Sequence, residues 1–153
     1  MIRRFILPLM LSLGLAAPAL AADVSLDSDV KVERVVVENG QKRTALLPAV
    51  KVVPGEKLVF STIYRNTGAR PADNFVVTNP IPAAVRLADD EFGSFEVSVD
   101  GGRQWGALAA LKVSDGKGGS RPAEAADVTH LRWVVATIAP GASGTLEYHG
   151  IVR

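Results

Sequence analysis

The sequence predicts an all-β protein, with seven or eight short strands closing as a sandwich of two packed sheets or as a small barrel. Two observations carry this. Apolar residues come in short runs, many alternating with polar ones, as on a strand whose side chains point to opposite faces in turn. Gly, Pro, Asn and Asp bound those runs, and no long stretch carries the 3.6-residue period of a helix.

Ahead of the first strand stands a different kind of segment. Arg3 and Arg4 give a basic start, Phe5 to Ala17 an apolar stretch, and Ala19-Leu20-Ala21 small residues at the positions a signal peptidase inspects. That layout is read as a secretory signal peptide over residues 1–21. The apolar run is shorter than the roughly 20 residues of a spanning helix and is broken by Pro8 and Pro18. Residues 22–153 then form one domain, destined for the periplasm or for release, with no membrane span after cleavage. That chain is close to neutral, which argues against nucleic acid as a partner. It has no cysteine, so core packing alone must hold it.

The strands follow in order. Val30 and Val32 alternate with Lys31 and Glu33, and then Arg34-Val35-Val36-Val37 puts apolar residues on both faces. A bulge at that point would explain the slip. Pro54-Gly55 is a turn, and Leu58, Phe60 and Tyr64 share one side of the strand after it. Asn74 to Thr78 is a strand stopped by Asn79-Pro80-Ile81-Pro82, because two prolines so close cannot sit inside a ladder. A short strand at Val85 to Leu87 comes next, then one-sided alternation at Phe95, Val97 and Val99. Ala107 to Val113 has slight helical colour, and Ser114 to Asp127 reads as loop. Leu131, Trp133 and Val135, then Leu146, Tyr148 and Val152, complete the set around a turn at Pro140 to Gly144.

Several of these pieces resemble a known family. Val52-x-Pro54-Gly55-Glu56-x-Leu58-x-Phe60, Tyr64-Arg65-Asn66-Thr67-Gly68, Ala72 to Thr78, Ile81-Pro82, Ser98 to Trp105, Thr129 to Trp133 and Pro140 to Leu146 are similar, in that order, to the bacterial conserved repeat domain, also called domain of unknown function eleven. The resemblance covers roughly residues 28–153. It implies an immunoglobulin-like two-sheet sandwich of an exported or surface protein. It carries over no catalytic residue, and fold analogy alone supplies no function.

Four constellations merit weighing for chemistry. Ser98-Val99-Asp100-Gly101-Gly102-Arg103-Gln104-Trp105 departs at Gln104 from the Asp-box of sialidase-like propellers, but one copy cannot build a propeller. What is expected instead is a structural turn at Asp100, Gly101 and Gly102, with Trp105 packed close by and Trp133 in the core. A calcium loop wants six to eight converging oxygens. Asp115-Gly116-Lys117-Gly118-Gly119-Ser120 sets a lysine where a carboxylate would help, and Asp89-Asp90-Glu91 reads as a solvated face. Carbohydrate stacking on Trp105 is the other small-ligand alternative. His130 and His149, the only histidines, have no nucleophile elbow or third ligand to work with.

The sequence therefore points to a non-enzymatic module with no cofactor, whose partner is another envelope or secreted protein. The first strand, with Val30, Val32, Val35, Val36 and Val37 spread over both faces, is the expected edge for strand addition.

Overall fold

The computed structural model describes residues 23–88 and 94–153. Residues 1–21, where a signal peptide is expected, and Asp89-Asp90-Glu91 lie outside the described residues. Within them the chain is all-β: β1 (Val24–Glu38), β2 (Gln41–Pro48), β3 (Lys57–Asn66), β4 (Ala72–Pro80), β5 (Val85–Leu87), β6 (Glu96–Ser98), β7 (Lys112–Ser114), β8 (Ser120–Pro122), β9 (His130–Ile138) and β10 (Ser143–Val152). Helical colour near Ala107 is realised only as a 3₁₀ turn at Leu108–Ala110, with another at Ala125–Asp127. The expected loop at 114–127 holds more order than its composition shows, since β7 and β8 pair there as a hairpin.

Every pairing is antiparallel. One sheet has the order β2-β1-β3-β10-β5, the other β4-β9-β6. They pack face to face because alternate residues of each are apolar. Val32, Leu58, Tyr148, Leu87 and Val85 from the first meet Val77, Leu131, Trp133 and Val97 from the second in one buried cluster. Phe60 stacks on its cross-strand neighbour Tyr148 at 4.5 Å, and Trp133 reaches the Tyr148 ring from the opposite sheet at 6.3 Å. Gly150, opposite Leu87, keeps β10 and β5 close; a Cβ there would run into Val85 and Phe60.

The connectivity departs from the constant-type immunoglobulin order. In that fold, the strand between the second and fourth strands of the larger sheet precedes the last two strands of the domain. Here the strand between β3 and β5 is β10, the last in the chain.

The sheets are unequal, and this shapes the surface. Asn79 of β4 donates to Thr62 of β3 at 3.0 Å and β9 lies over β10, whereas on the inner face of β1 Val32 is buried and Leu26 is half-exposed. β1 and β2 form a hairpin joined by Asn39-Gly40, both with positive φ (53° and 79°), the two-residue turn whose twist matches a right-handed ribbon. The expected bulge at Arg34 to Val37 is absent. Register runs without slip from Lys31 opposite Pro48 to Glu38 opposite Gln41, and from Val24 opposite Asn66 to Glu33 opposite Lys57. Apolar residues fall on both faces because Arg34 to Glu38 pair with β2 alone, past the end of β3, where neither face is fully buried.

Two polar devices hold the frame. Arg34 clamps the loop after β2: its Nε donates to Glu56 Oε1 at 2.7 Å and its Nη2 to the Lys51 carbonyl at 2.8 Å. Fully buried Asn66 joins the two sheets at the opposite end, donating to the carbonyls of Arg70 and Ile138.

Candidate functional site

The Asp100 segment folds as a closed turn. Val97 and Gly106 exchange backbone hydrogen bonds of 2.9 and 3.1 Å, so residues 98–105 loop out from a hairpin base. Asp100 Oδ1 accepts from the N–H groups of Arg103 and Gln104, both at 3.0 Å, and from Ser98 Oγ at 2.8 Å. Those donors, the Gln104 amide first, hold its carboxyl below the usual range. Ser98 Oγ accepts in turn from Gly102 N–H, and Gly101 and Gly102 supply φ of 78° and 87°. This is self-contained turn chemistry.

Trp105 and Trp133 go to different places. Trp133 is buried between the sheets with Phe95 edge-on at 5.6 Å. Trp105 lies outside that core, half-buried on the outer face of β9, and packs against its own turn beside Gly102. Along β9, Leu131 and Trp133 point inward and His130 and Arg132 outward; the Arg132 guanidinium sits 4.6 Å over the Trp105 ring and His130 meets it edge-on. Nε1 of Trp105 donates back to the Gly102 carbonyl at 2.9 Å. A sugar would have to stack on a ring whose one face already carries a cation held by Glu96 at 2.8 Å.

Asp115 is engaged in the same way. Its Oδ1 accepts from Lys117 and Gly119 N–H at 2.8 and 2.9 Å, which lowers its pKa and closes the β7–β8 turn. Among the described residues no group of three or more His, Cys, Asp or Glu gathers that could hold a metal ion. His130 and His149 lie on the outer faces of different sheets, as each alternates with inward-facing neighbours on β9 and β10.

The expected edge strand is not an edge along most of its length. β1 is interior: β2 covers Lys31 to Glu38 on one side and β3 covers Val24 to Glu33 on the other. Val32 is fully buried, and Val36 faces Arg43 within the hairpin. The physical reason is the Asn39-Gly40 turn, which folds β2 back against β1.

Two stretches of open edge result. One is β2 itself, the terminal strand of its sheet among the described residues. A two-residue turn closes on a hydrogen-bonded pair, and such pairs alternate along an antiparallel ladder. Glu38 and Gln41 are that pair, and Ala49 N–H bonding to Val30 O keeps the same phase at the other end. The backbone groups of Lys42, Thr44 and Leu46 therefore face away from β1. Their side chains share the outer face with Val35 and Val37, which are 67% and 68% exposed, while Leu46 is 49% exposed. The other stretch is Val24 to Asp29 of β1, beyond the end of β2. There Val24, Leu26 and Ser28 turn their backbone groups away from β3, and no described strand pairs with them. Asp29 Oδ1 accepts the neighbouring Val30 N–H at 2.9 Å.

Comparison with family models, with curated proteins and with solved structures finds no match to this chain.

Proposed function

We propose that this chain is an exported, non-enzymatic β-sandwich module that acts by protein–protein contact or assembly in the bacterial envelope, using the open edge of β2. The observation that carries the reading is the hairpin. It extends past the end of β3, carries exposed Val35, Val37 and Leu46 on one face, and offers backbone groups of Lys42, Thr44 and Leu46 along its rim. Exposed edge backbone next to apolar side chains is the requirement for strand addition. The basic start and apolar stretch of residues 1–21 support export to the periplasm or outside. Kinship with the immunoglobulin-like conserved repeat domain belongs to the same proposal. Its support is that the shared segments have structural work here: Glu56 clamps Arg34, Asn66 joins the sheets, and Asp100 closes its turn.

The test is a proline at Thr44, whose N–H faces outward and is not part of the β1–β2 ladder. In-cell crosslinking and pull-down with the wild type should recover a protein that the folded Thr44→Pro variant fails to hold. Equal capture by both, with the variant folded, would overturn the assignment to this edge.

A further inference from the structure

We infer that Asn39-Gly40, at the tip of the β1–β2 hairpin, is a self-modification site: the Gly40 nitrogen attacks the Asn39 side chain and converts it to aspartate and isoaspartate. This holds whatever β2 contacts.

The chemistry needs a side-chain amide, a backbone nitrogen that can approach it, and water. Gly40 N bonds to Asn39 Cγ and gives up its proton, the Cγ–Nδ2 bond breaks, and ammonia leaves. Water then opens the five-membered imide at either carbonyl. The main chain is left running through the original carbonyl carbon, as aspartate, or through Cγ, as isoaspartate. Nothing is oxidised or reduced. Asparagine is a thermolabile residue for this reason.

Those conditions meet at Asn39. It and Gly40 are exposed, and among the described residues the Asn39 side chain has no hydrogen-bond partner. Gly40 has no side chain to obstruct the approach, and the space where a Cβ would stand is open. The tip is also lightly held. Arg34 to Glu38 pair with β2 alone, and the ion pair of Glu38 with Arg43 is exposed on both sides. Such ends open locally at little cost, and that freedom lets the nitrogen reach Cγ.

The same fold shields the other candidates. Asn66 is fully buried and gives both amide hydrogens to carbonyls, those of Arg70 and Ile138. Asn79 donates to Thr62 and precedes Pro80, whose nitrogen has no proton to lose. Asn74 precedes Phe75, whose side chain crowds the nitrogen and whose backbone pairs with Val135 of β9. Asp100 and Asp115 also precede glycines, but each carboxylate accepts two backbone N–H groups and stays ionised, which makes it a poor electrophile.

Conversion has a structural consequence. Isoaspartate adds a carbon to the main chain of a two-residue turn, and the closing pair of Glu38 with Gln41 has no room for added length. The hairpin tip should fray while the sandwich keeps its pairings.

Ageing the purified protein at 37 °C in mildly alkaline buffer, beside a peptide spanning Val36 to Arg43, tests this. Peptide mapping with fragmentation that separates isoaspartate from aspartate follows both samples. Asn39 should yield both products at a rate within about tenfold of the peptide's, while Asn66, Asn74 and Asn79 stay intact over the same time. Asn39→Gly keeps a Gly-Gly pair suited to the turn and should abolish conversion there. Hairpin amides of the aged wild type should exchange faster with solvent, and those of aged Asn39→Gly should not. An Asn39 that survives after the peptide has fully converted overturns the site. So does conversion of all the asparagines at one rate, which would mean that global unfolding sets the chemistry. Unchanged hairpin exchange in a fully converted sample overturns the fraying.

Discussion

Asn66 of β3 donates a 2.8 Å hydrogen bond to the carbonyl of Ile138 at the end of β9, so one side-chain amide joins the two sheets. The same amide donates to Arg70 O at 2.7 Å, and its oxygen accepts Gly68 N–H at 3.0 Å. The residue is fully buried. Replacing it with alanine leaves two carbonyls and one N–H without their partner, and each such buried group costs about 1–3 kcal/mol. Asn66→Ala should therefore lose about 2–5 kcal/mol in urea unfolding, with a lower midpoint and an unchanged slope. Asn66→Asp should be worse at neutral pH, since a carboxylate would face two carbonyl oxygens, and should recover partly in acid as it regains a donor.

The two tryptophans should separate cleanly. Truncating Trp133 removes a ring enclosed by Phe95, Tyr148 and the inner faces of both sheets, at a cost of about 3–5 kcal/mol. Trp133→Ala should leave little folded protein at 37 °C. Trp105 contributes a half-exposed ring, one hydrogen bond to Gly102 and the Arg132 stack, so Trp105→Ala should cost only about 1–2 kcal/mol. Thermal melts of the two variants, side by side, would check the ranking; comparable losses would mean that the outer face of β9 bears more of the fold than its exposure suggests.

Strand identity was legible wherever alternation was clean. Val97, Leu131, Trp133 and Tyr148 all occupy the core that their spacing predicts. What short-range pattern could not carry was pairing between distant segments. Nothing local announces that β10 inserts between β3 and β5, because that choice is made by Phe60 and Tyr148, which meet although they are 88 positions apart in the chain. The hairpin was available and was missed: Asn39-Gly40 between two valine- and leucine-bearing runs is the strongest short-range hairpin signal, and reading it would have moved the edge from β1 to β2. That Trp105 packs by its turn was legible, but the sheet face it lies on was not. The eight-residue turn from Ser98 restarts the alternation, so the phase of β6 says nothing about the face on which that ring lands.

Acid should loosen the fold through two clamps. The Arg34 hydrogen bond, then the Val53 N–H, hold Glu56 below the usual carboxylate range; the Arg121 pair, formed through both oxygens, does the same for Asp127. A carboxyl with a depressed folded pKa contributes stability that is present above its unfolded pKa and is lost as pH falls through the folded value. Melting temperature should thus be level near neutrality and drop below about pH 4. Glu56→Gln should be less stable at neutral pH and show a shallower acid decline. If its profile runs parallel to that of the wild type, Glu56 is not a source of the pH dependence.

Proline at Val36 and proline at Thr44 should behave as opposites although the residues are near neighbours across the hairpin. Val36 pairs with Arg43, and the phase set by Glu38 and Gln41 turns its N–H into the β1–β2 ladder. Proline there removes a ladder bond in an interior strand and should unzip the hairpin from its tip, exposing amides of both strands to hydrogen exchange. The N–H of Thr44 points outward, so proline there removes only a rim donor and should leave hairpin protection near the wild-type level. Loss of contact in Val36→Pro would then reflect a melted hairpin, whereas loss in Thr44→Pro reports on the edge itself. Amide exchange read by NMR on both variants distinguishes the two. Protection lost in Thr44→Pro and kept in Val36→Pro would reverse the assignment of inward and outward amides, and with it the face that β2 offers.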